Sequence, residues 1–522
     1  MKYINKFNFK NLFVLDLANN HQGDFLHGSR IISECADVVD RHCVRAVIKF
    51  QFRDLPNFIH SDERKSSTNK HTPRFLSTQL SWDEFKKLLA VVRRRNMLAM
   101  CTPFDESSVD KIIEFDFDLI KVASCSARDW PLLEKIASSG LPVIASTGGL
   151  IQKEVDDLVS FLIHKGCDFA LMHCVSIYPT PDDACQLGNI SGFKERYPGR
   201  VVGWSTHEPP QDTVQIGLAL ALGAEMFERH VGVETEKIKL NAYSSTPSQI
   251  DDWFNAYARA VNLVGERSRN QPLALERKSI DELRRGVFSK NSLEVGQELT
   301  VDDIYFAFPL RPGQLASGDW KSGIILNEPL EQDQPLNLKD LIIPDDPLEQ
   351  IIKNAIHEVK ALLAYARVPL SHEFSTEYSH HYGVINFREI GVVLINVINR
   401  DYAKKILVQL PGQRHPMHFH KLKEETFIVL WGELISDLDG RERTLGPGDT
   451  LMVPPGVWHS FRTDLGCVFE EISTTVYSND SVYRDQAINI LTSKQRKTSV
   501  DHWGRFQIGE QLRGEKLKYA ET

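Results

Sequence analysis

Several features that would place this chain in a specialised class are missing from its sequence. No apolar run reaches the roughly 18 residues of a membrane-spanning helix. No C-x-x-C pair occurs among the eight cysteines, and the amino-terminal segment has lysines but no cleavable signal pattern. We therefore expect a cytoplasmic protein with reduced thiols and no membrane partner.

An excess of positive charge is also missing. The net charge of -9 is spread along the chain, which argues against nucleic acid or an anionic membrane as a partner. A small anionic substrate is still compatible, provided that basic side chains are gathered locally. At 522 residues the chain is too long for one core, and we expect two to four domains.

Eight short apolar runs precede residue 232, and segments with helical apolar spacing lie between most of them. This alternation predicts an α/β fold, a (β/α)₈ TIM barrel. A doubly wound open sheet is the alternative, but no glycine-rich dinucleotide turn follows the first run. The runs are residues 11–17, 46–51, 97–101, 118–122, 142–146, 169–173, 201–205 and 224–229.

Each predicted strand ends in polar or charged residues, and in a barrel these ends meet on one face, where active sites lie. In AEMFERHV, an apolar strand ends in Glu228, Arg229 and His230. A cap or a salt bridge is the alternative for any one residue, but eight polar ends favour a site. The other ends carry Asp16, Asn20, His21, Lys49, Gln51, Thr102, Lys121, Ser124, Ser146, Thr147, His173, Tyr178, Ser205 and His207.

Two kinds of chemistry fit these side chains. Lys49 and Lys121, with nearby hydroxyls and backbone amides, would form a cradle for a phosphate and a carboxylate. Lysines paired with the barrel's own carboxylates are the alternative. His207 and His230, on adjacent strands, suit a divalent ion that polarises a carbonyl, although two histidines alone are a weak metal signal.

The pattern changes twice after the barrel. Short strands with turn-forming Gly and Pro follow residue 284, and Asp345-Asp346-Pro347 marks a linker before an amphipathic helix. From about residue 371 the pattern is all-β. We predict a TIM-barrel domain over residues 1–275, a small β domain over 276–344, a linker helix over 345–370 and an all-β domain over 371–522.

Particular segments lead to a family. NNHQGD, VIKFQ, CTPFD, IKVAS, IASTGG, LMHCVSIYPTP, GWSTHE and FERH occur in this order. With them the barrel resembles the sialic acid synthase family, which includes N-acetylneuraminate synthase and its nonulosonate relatives. RRGVFSK and LRPGQ in the small unit are similar to that family's antifreeze-like (SAF, β-clip) domain. The resemblance covers roughly residues 10–342.

The resemblance implies condensation of phosphoenolpyruvate with an open-chain aldose, often an N-acylhexosamine, to give a 3-deoxy-2-keto sugar acid and phosphate. It implies that His207 and His230 hold Mn²⁺ or Mg²⁺ and that Arg311 reaches the site of a partner subunit in a domain-swapped homodimer. The implied catalytic groups are Glu228, Asp16, Lys121, His207 and His230. The implied substrate contacts are Lys49, Thr102, Lys121, Ser124 and Ser146 for phosphoenolpyruvate, and Gln51 and Tyr178 for the sugar.

The chain departs from the family pattern on the sugar side. Asp16 stands where the family has Glu, and Cys125-Ser126 stands where it has Gly-Glu. Thr206 replaces an Asp, and the acidic residue expected near Leu240 is missing. Because the phosphoenolpyruvate residues are intact, we expect the same condensation with a different aldose.

A second motif pair lies near the carboxyl end. Gly412-x₅-His418-x-His420-x₄-Glu425-x₆-Gly432, followed by Gly448-x₅-Pro454-x-Gly456-x₂-His459, matches both cupin motifs at full spacing. Strand alternation places His418 and His420 on one inner face, where Glu425 and His459 would complete a site for Mn, Fe, Ni or Zn. A metal-free cupin that binds sugar through these groups is the alternative.

The role of the cupin has two interpretations. EEISTTVYSNDSVYRD (470–485) resembles cupin sugar isomerases of the D-lyxose isomerase type, which makes Glu470 or Glu471 a candidate base. The cupin is then a sugar isomerase or epimerase that feeds the synthase, or else a sugar-binding module. For the whole chain, the alternative is a cupin isomerase or sugar-binding protein with a degenerate barrel, which the intact Lys49 and Lys121 disfavour. A relative that makes seven- or eight-carbon keto acids is disfavoured by the antifreeze-like unit.

Overall fold

The computed structural model describes residues 7–65, 69–266, 272–346, 348–370, 374–477 and 480–500. Its contacts divide the chain into two compact units, Met1–Gln271 and Pro272–Thr522. None of the helices in the described ranges has both the length and the apolar character that crossing a bilayer requires.

In the described part of the first unit, eight parallel strands close into a barrel in chain order, and the first strand pairs with both the second and the eighth. The predicted TIM barrel is confirmed, and the open sheet was the wrong alternative. The strands are β1 (Leu12–Asp16), β2 (Arg45–Phe52), β3 (Leu98–Pro103), β4 (Leu119–Val122), β5 (Val143–Ser146), β6 (Phe169–Cys174), β7 (Val202–Ser205) and β8 (Met226–His230).

Helices follow the strands and bury their apolar faces against the outer side of the barrel. Local signals start several of them: Asp24 caps the first, and Ser81 with Glu84 forms a capping box at the fifth. The helices are α1 (Phe25–His42), α2 (Leu55–Phe58), α3 (Ser61–Lys65), α4 (Thr72–Ser77), α5 (Trp82–Arg94), α6 (Glu106–Glu114), α7 (Trp130–Ser138), α8 (Gln152–His164), α9 (Gly188–Arg196), α10 (Val214–Ala221) and α11 (Pro247–Val264).

Alternate residues of each barrel strand point inward. At the amino-terminal ends of the strands, the inward side chains form an apolar plug that fills the cylinder. Toward the carboxyl ends, the inward positions become polar. The plug therefore supports a polar mouth, and its residues are Leu12, Val14, Val47, Met100, Leu119, Ile144, Ala170, Met172 and Met226.

The second unit begins with α12 (Ala274–Asp281) and two small antiparallel sheets. These sheets enclose a core that includes Val287, Leu299, Ile324 and Leu336. The short strands agree with the predicted small β unit, while its antifreeze-like character remains a prediction. The strands are β9 (Gly286–Ser289), β10 (Ile304–Ala307), β11 (Ile325–Leu326) and β12 (Leu341–Ile342).

After α13 (Leu348–Tyr365), the described chain forms antiparallel sheets of seven and five strands, as the all-β pattern predicts. Apolar residues of α13 pack against the larger sheet. The strands are β13 (Ser375–Ser379), β14 (Val392–Asn399), β15 (Tyr402–Gln409), β16 (Arg414–His420), β17 (Glu425–Gly432), β18 (Leu434–Leu438), β19 (Arg441–Leu445), β20 (Thr450–Val453), β21 (His459–Arg462), β22 (Cys467–Thr474), β23 (Ser481–Tyr483) and β24 (Lys497–Val500), with helices α14 (Gln486–Asn489) and α15 (Ser493–Arg496) before the last strand.

The predicted boundaries at residues 275, 344 and 370 remain predictions. The boundary at 370 adjoins residues 371–373, and the predicted all-β domain extends to residue 522; residues 371–373 and 501–522 lie outside the described ranges.

Candidate functional site

Glu228 on β8 is the centre of a buried polar cluster at the barrel mouth. Its Oε1 accepts a hydrogen bond from Lys49 Nζ at 2.8 Å, and its Oε2 accepts one from Lys121 Nζ at 2.5 Å. Ser205 Oγ also donates to Oε1, at 3.0 Å. All four side chains are buried. Four strands of one closed cylinder thus bring together residues that are far apart in the sequence.

Asp16 on β1 extends this cluster toward the histidines. Its Oδ2 lies 2.9 Å from Lys49 Nζ and 3.4 Å from His230 Nε2, and it accepts a hydrogen bond from Gln51 Nε2 at 3.3 Å. The ring of His207 lies 5.3 Å from that of His230, centre to centre. The structure therefore brings both lysines, both carboxylates and both histidines into one continuous network.

Burial and charge oppose each other in this cluster. Burial acts to raise the pKa of Glu228, but the charges of Lys121 and Lys49 outweigh it and hold the pKa below its ordinary value. Burial acts to lower the pKa of Lys49, which Asp16 and Glu228 instead raise. For Lys121 burial prevails, and its pKa is lowered. Glu228 is consequently held in its ionised form, with its charge matched by the two lysines.

His207 and His230 lie beside each other at the barrel mouth, where the predicted divalent cation would bind. His207 Nδ1 lies 2.9 Å from the carbonyl oxygen of Val175, which orients the ring. Burial lowers the pKa of His230, so its imidazole is neutral. Tyr178 packs 4.3 Å from the His207 ring. This donor set fits a divalent cation.

Hydroxyl groups and a backbone amide lie at neighbouring strand ends. Thr102 Oγ1 is buried and has no hydrogen-bond partner within the described residues, and Ser146 is buried at the end of β5. Ser124 Oγ accepts a hydrogen bond from the amide of Gly148 at 3.0 Å. A Cβ at Gly148 would lie 2.7 Å from Ser124 Oγ and 2.6 Å from Ser176 Oγ, so glycine alone permits this approach.

Two predicted residues of the barrel, His173 and Arg229, lie outside the cluster. His173 faces the helices, where Nε2 lies 2.9 Å from the Cys185 carbonyl oxygen. Arg229 also faces outward and forms a buried ion pair with Glu208 at 3.3 Å, which is the structural alternative considered for this strand end. Arg311 belongs to the second unit, with Cζ 5.5 Å from the Phe288 ring centre.

Arg53 and Cys174 were missed from the sequence. Extending the inward alternation of β2 from Lys49 and Gln51 by one step would have found Arg53, and the same rule applied to β6 would have found Cys174. Arg53 donates to Gln51 Oε1 at 3.0 Å. Burial, the largest single cause, acts to raise the pKa of Cys174, but interactions with His207, Lys121 and Ser124 together outweigh it and lower the pKa.

The second unit contains a candidate metal centre. His418 and His420 on β16 and His459 on β21 place ligand nitrogens within 4.8 Å of one another. The Nδ1 atom of each histidine lies near an oxygen atom of another residue. The distance is 3.0 Å from His418 Nδ1 to the Pro416 carbonyl oxygen, 3.1 Å from His459 Nδ1 to that of Val457, and 3.4 Å from His420 Nδ1 to an Asp480 carboxylate oxygen. The Nε2 atoms therefore converge as ligands.

Glu425 lies beside two of these histidines, and its role as a fourth ligand remains a prediction. Its Oε1 lies 3.2 Å from His420 Nε2, and its Oε2 lies 3.1 Å from His459 Nε2. Neither Glu425 Oε2 nor His459 Nε2 has a hydrogen-bond partner of proper geometry within the described residues. Buried, unpaired donor atoms of this kind fit a transition-metal ion. Burial lowers the pKa of His418 well below its ordinary value, so this ligand is neutral.

A cavity of about 260 Å³ opens beside this centre. Lys423 lies on its wall and contacts both Glu425 and Glu471, the latter at 3.1 Å. Glu471 faces the cavity, whereas Glu470 faces outward and pairs with Lys404. The structure thereby separates the two glutamates that the sequence left as equal candidates.

A (β/α)₈ barrel with an ionised, lysine-paired carboxylate at its mouth, followed by an antiparallel domain with a three-histidine centre, defines a barrel enzyme with an attached cupin. Residues 40–269 match the model of the NeuB family, and residues 406–466 match that of the cupin domain. The chain belongs to the NeuB family of phosphoenolpyruvate-dependent condensing enzymes and carries a cupin domain.

Similar proteins support this membership. The chain is 40% identical to the solved spore coat polysaccharide biosynthesis protein E of Chromobacterium violaceum, over 64% of this chain and 100% of that one, with a TM-score of 0.62. It is 31% identical to an uncharacterized protein of Methanocaldococcus jannaschii, over 63% of this chain and 92% of the relative. It is 33% identical to N-acetylneuraminate-9-phosphate synthase of Drosophila melanogaster, over 42% of this chain and 59% of that protein.

Proposed function

We propose that the barrel condenses phosphoenolpyruvate with an aldose, N-acylhexosamine-like in its open-chain form, to give a 3-deoxy-2-keto sugar acid of the nonulosonate class and phosphate. The observation that carries the proposal is the shared position of Lys49 and Lys121 on the two oxygens of Glu228, beside Asp16, His207 and His230. Two buried lysines next to two histidines suit a phosphorylated acid and an aldehyde.

Each residue has a definite role in this proposal. Lys49 and Lys121, with the hydroxyls of Thr102, Ser124 and Ser146, would bind the phosphate and carboxylate of phosphoenolpyruvate. The third carbon of phosphoenolpyruvate forms a bond to the aldehyde carbon, and the aldehyde oxygen takes up a proton to become a hydroxyl. A water adds to the second carbon and loses a proton, and phosphate leaves.

Protons and charge are handled by the centre of the cluster. His207 and His230 would hold the divalent cation, Mn²⁺ or Mg²⁺, whose contribution is to polarise the aldehyde oxygen. Glu228, held ionised by the lysines, would take the proton of the incoming water. Preorganised charge, with no covalent nucleophile, would supply most of the rate.

The position of Arg53 supports a sugar-binding side that differs from the family pattern. Its guanidinium lies 3.7 Å and 4.2 Å from the ring centres of Phe104 and Phe75, and it contacts Gln51, a proposed sugar ligand. Burial lowers its pKa to about 10, and its Nε has no hydrogen-bond partner within the described residues. A fixed, incompletely paired cation at this position suits an acceptor with additional hydrogen-bond acceptors.

The test uses the purified full-length protein with phosphoenolpyruvate, Mn²⁺ and a panel of aldoses, with phosphate release as the measurement. We expect release with at least one aldose and loss of release in Lys121→Met. The matched control is Lys135→Met, which removes a half-exposed lysine of α7 paired with Asp110. Failure of every aldose to release phosphate would reject the proposal.

For the cupin we propose sugar isomerisation or epimerisation with a bound Mn, Fe, Ni or Zn ion. The observation that favours this activity over sugar binding alone is Glu471, a buried carboxylate facing the same cavity as His418 and His420. It is placed to move a proton between adjacent carbons of a bound sugar.

This second activity is tested in a Lys121→Met background, so that the barrel is silent. Aldose–ketose exchange is followed by deuterium uptake from solvent in the full-length protein. We expect exchange to be lost in Glu471→Gln and kept in Glu470→Gln, which makes the same change on the opposite face of β22. Equal exchange in both variants would indicate that Glu471 is not the base.

A further inference from the structure

We propose that the cupin cavity binds an anionic sugar, one that carries a carboxylate or a phosphate, with Lys405 and Arg496 as the groups that hold the anion. This inference rests on the second activity proposed above and adds the class of its ligand. The supporting observation is that the carboxylates inside the cavity only partly neutralise the lysine and arginine side chains beside them.

Lys405 is the first of these residues. It lies on β15, is 9% exposed, and points into the cavity. Its ion-pair partner Glu471 is 3.5 Å away, and Lys423 shares the same Glu471 oxygen at 3.1 Å. A lysine buried inside an antiparallel barrel is costly unless its charge is matched. Here two lysines share one carboxylate, so Lys405 is only partly neutralised.

The remaining carboxylates of the cavity are already engaged. Glu425 faces the histidines as a metal ligand would and also contacts Lys423. Asp480 accepts hydrogen bonds from the amides of Leu422 and Lys423, at 2.8 Å and 3.1 Å, and lies 3.4 Å from His420 Nδ1. With a divalent cation at the histidines, positive charges in the cavity would outnumber negative ones, and an anionic ligand would restore the balance.

Arg496 provides the directed donors. It also lines the cavity, and its Nε is buried with no hydrogen-bond partner within the described residues. Its guanidinium lies 5.2 Å from the Tyr483 ring centre, and that ring stacks on His418 at 5.4 Å. An arginine held on an aromatic face, one ring away from a metal ligand, can bind a planar carboxylate or a phosphate with two parallel hydrogen bonds.

The size of the cavity agrees with this class of ligand. At about 260 Å³ it has room for a monosaccharide acid, and apolar side chains that include Leu394, Leu407 and Phe427 also line it. The anionic group would lie on the Lys405 and Arg496 side, while the hydroxyl or carbonyl oxygens of the same sugar would face the histidines and Glu425.

The test measures binding to the full-length, metal-loaded protein by thermal shift at matched ionic strength. The probes are D-glucuronate, D-glucose 6-phosphate and D-glucose, which share one sugar and differ in the anion. We expect one or both anionic probes to stabilise the protein at about tenfold lower concentration than D-glucose, since charge-assisted hydrogen bonds are worth that much. The anionic probe that acts at the lower concentration identifies the preferred anion. Equal effects of all three probes would overturn the proposal.

Variants locate the anion site. Lys405→Gln and Arg496→Gln should each lose most of the preference for the anionic probe while keeping the metal content, which is measured by elemental analysis. Lys404→Gln is the matched control, because Lys404 neighbours Lys405 on β15 but faces outward and pairs with Glu470. An identical loss in Lys404→Gln would also overturn the proposal, and Arg496→Gln serves alone if Lys405→Gln does not fold.

Because binding is measured and turnover is not, this test is separate from the isomerase test. A protein that prefers anionic probes but exchanges no protons would leave the ligand class standing and remove the isomerase. A protein that exchanges protons on neutral sugars and shows no preference for anionic probes would support the isomerase and reject the ligand class.

Discussion

At the scale of single residues, His21 shows how burial ties charge to stability. It is 2% exposed, and its Nδ1 accepts a hydrogen bond from the Gly23 amide at 3.1 Å. Burial, the largest cause, together with the charge of His27, lowers its pKa from 6.5 to about 4. The folded state therefore requires neutral His21, while the unfolded chain takes up a proton below pH 6.5.

This makes part of the barrel's stability pH-dependent. The contribution of His21 is complete above pH 6.5 and is lost as the pH falls toward 4, by about 3 kcal/mol for a shift of this size. His21→Asn keeps a hydrogen-bond acceptor without the titration. We expect the melting temperature of its barrel, measured by calorimetry, to fall less between pH 6.5 and 4.5 than that of the wild type. The control is His60→Asn at an exposed site, and parallel curves for wild type and His21→Asn would contradict the prediction.

Arg53 is the residue on which the altered sugar side can be tested. We expect Arg53→Gln to raise the KM for the active aldose about tenfold and to leave the KM for phosphoenolpyruvate unchanged, since a hydrogen bond from a charged group is lost on one substrate only. Arg45→Gln is a matched control, because Arg45 begins the same strand at the opposite end of the barrel. A change confined to the phosphoenolpyruvate KM would show that Arg53 serves the other substrate.

At the scale of elements, the closure of the barrel depends on close contact between β7 and β8. A Cβ at Gly203 would lie 2.6 Å from the Met226 carbonyl oxygen and 3.1 Å from its Cβ, so alanine cannot fit without moving β8. β8 also carries Glu228 and His230, and its position therefore affects both the stability of the barrel and the geometry of the mouth.

We expect Gly203→Ala to destabilise the barrel by about 1–3 kcal/mol, the usual cost of overpacking, and to reduce phosphate release. Gly192→Ala is the contrasting change: Gly192 lies in α9, and a Cβ there would meet no atom within 4 Å outside the backbone of its own helix. There alanine should stabilise by about 0.5–1 kcal/mol. Calorimetric unfolding of both variants is the measurement, and equal shifts would refute the packing argument.

At the scale of the whole molecule, the predicted domain-swapped homodimer can be tested by complementation between two inactive variants. If Arg311 completes the site of a partner subunit, Arg311→Ala and Lys121→Met are each inactive alone for different reasons. Co-expressed, they form mixed dimers in which one barrel has both residues. We expect about a quarter of the wild-type phosphate release, since half the dimers are mixed and half their sites are complete.

The controls for this complementation are each variant alone and a mixture of the two homodimers prepared without exchange of subunits. Recovery restricted to the co-expressed sample supports the exchange of Arg311 between subunits. Full activity of Arg311→Ala alone would remove Arg311 from the site, and absence of recovery would remove the swapped arrangement.

Much of the architecture could be predicted because it follows from local periodicity. Eight apolar runs with helical segments between them specify a closed parallel barrel, and all eight are strands in the structure. Alternation of side chains along one strand was sufficient to place His418 and His420 on one inner face, whereas Glu425 and His459 were assigned from the cupin motif spacing.

The tertiary structure decided which of two adjacent residues in a strand points into a site. Alternation requires that Glu228 and Arg229 point to opposite sides, as Glu470 and Glu471 must, but it does not say which of each pair faces inward. That choice depends on closure of the barrel and on pairing of β22 with β15, which bring together residues separated by tens to hundreds of positions. Local sequence carries no record of those distances, so the lysine-paired Glu228 and the cation-rich cupin cavity emerged only from the folded chain.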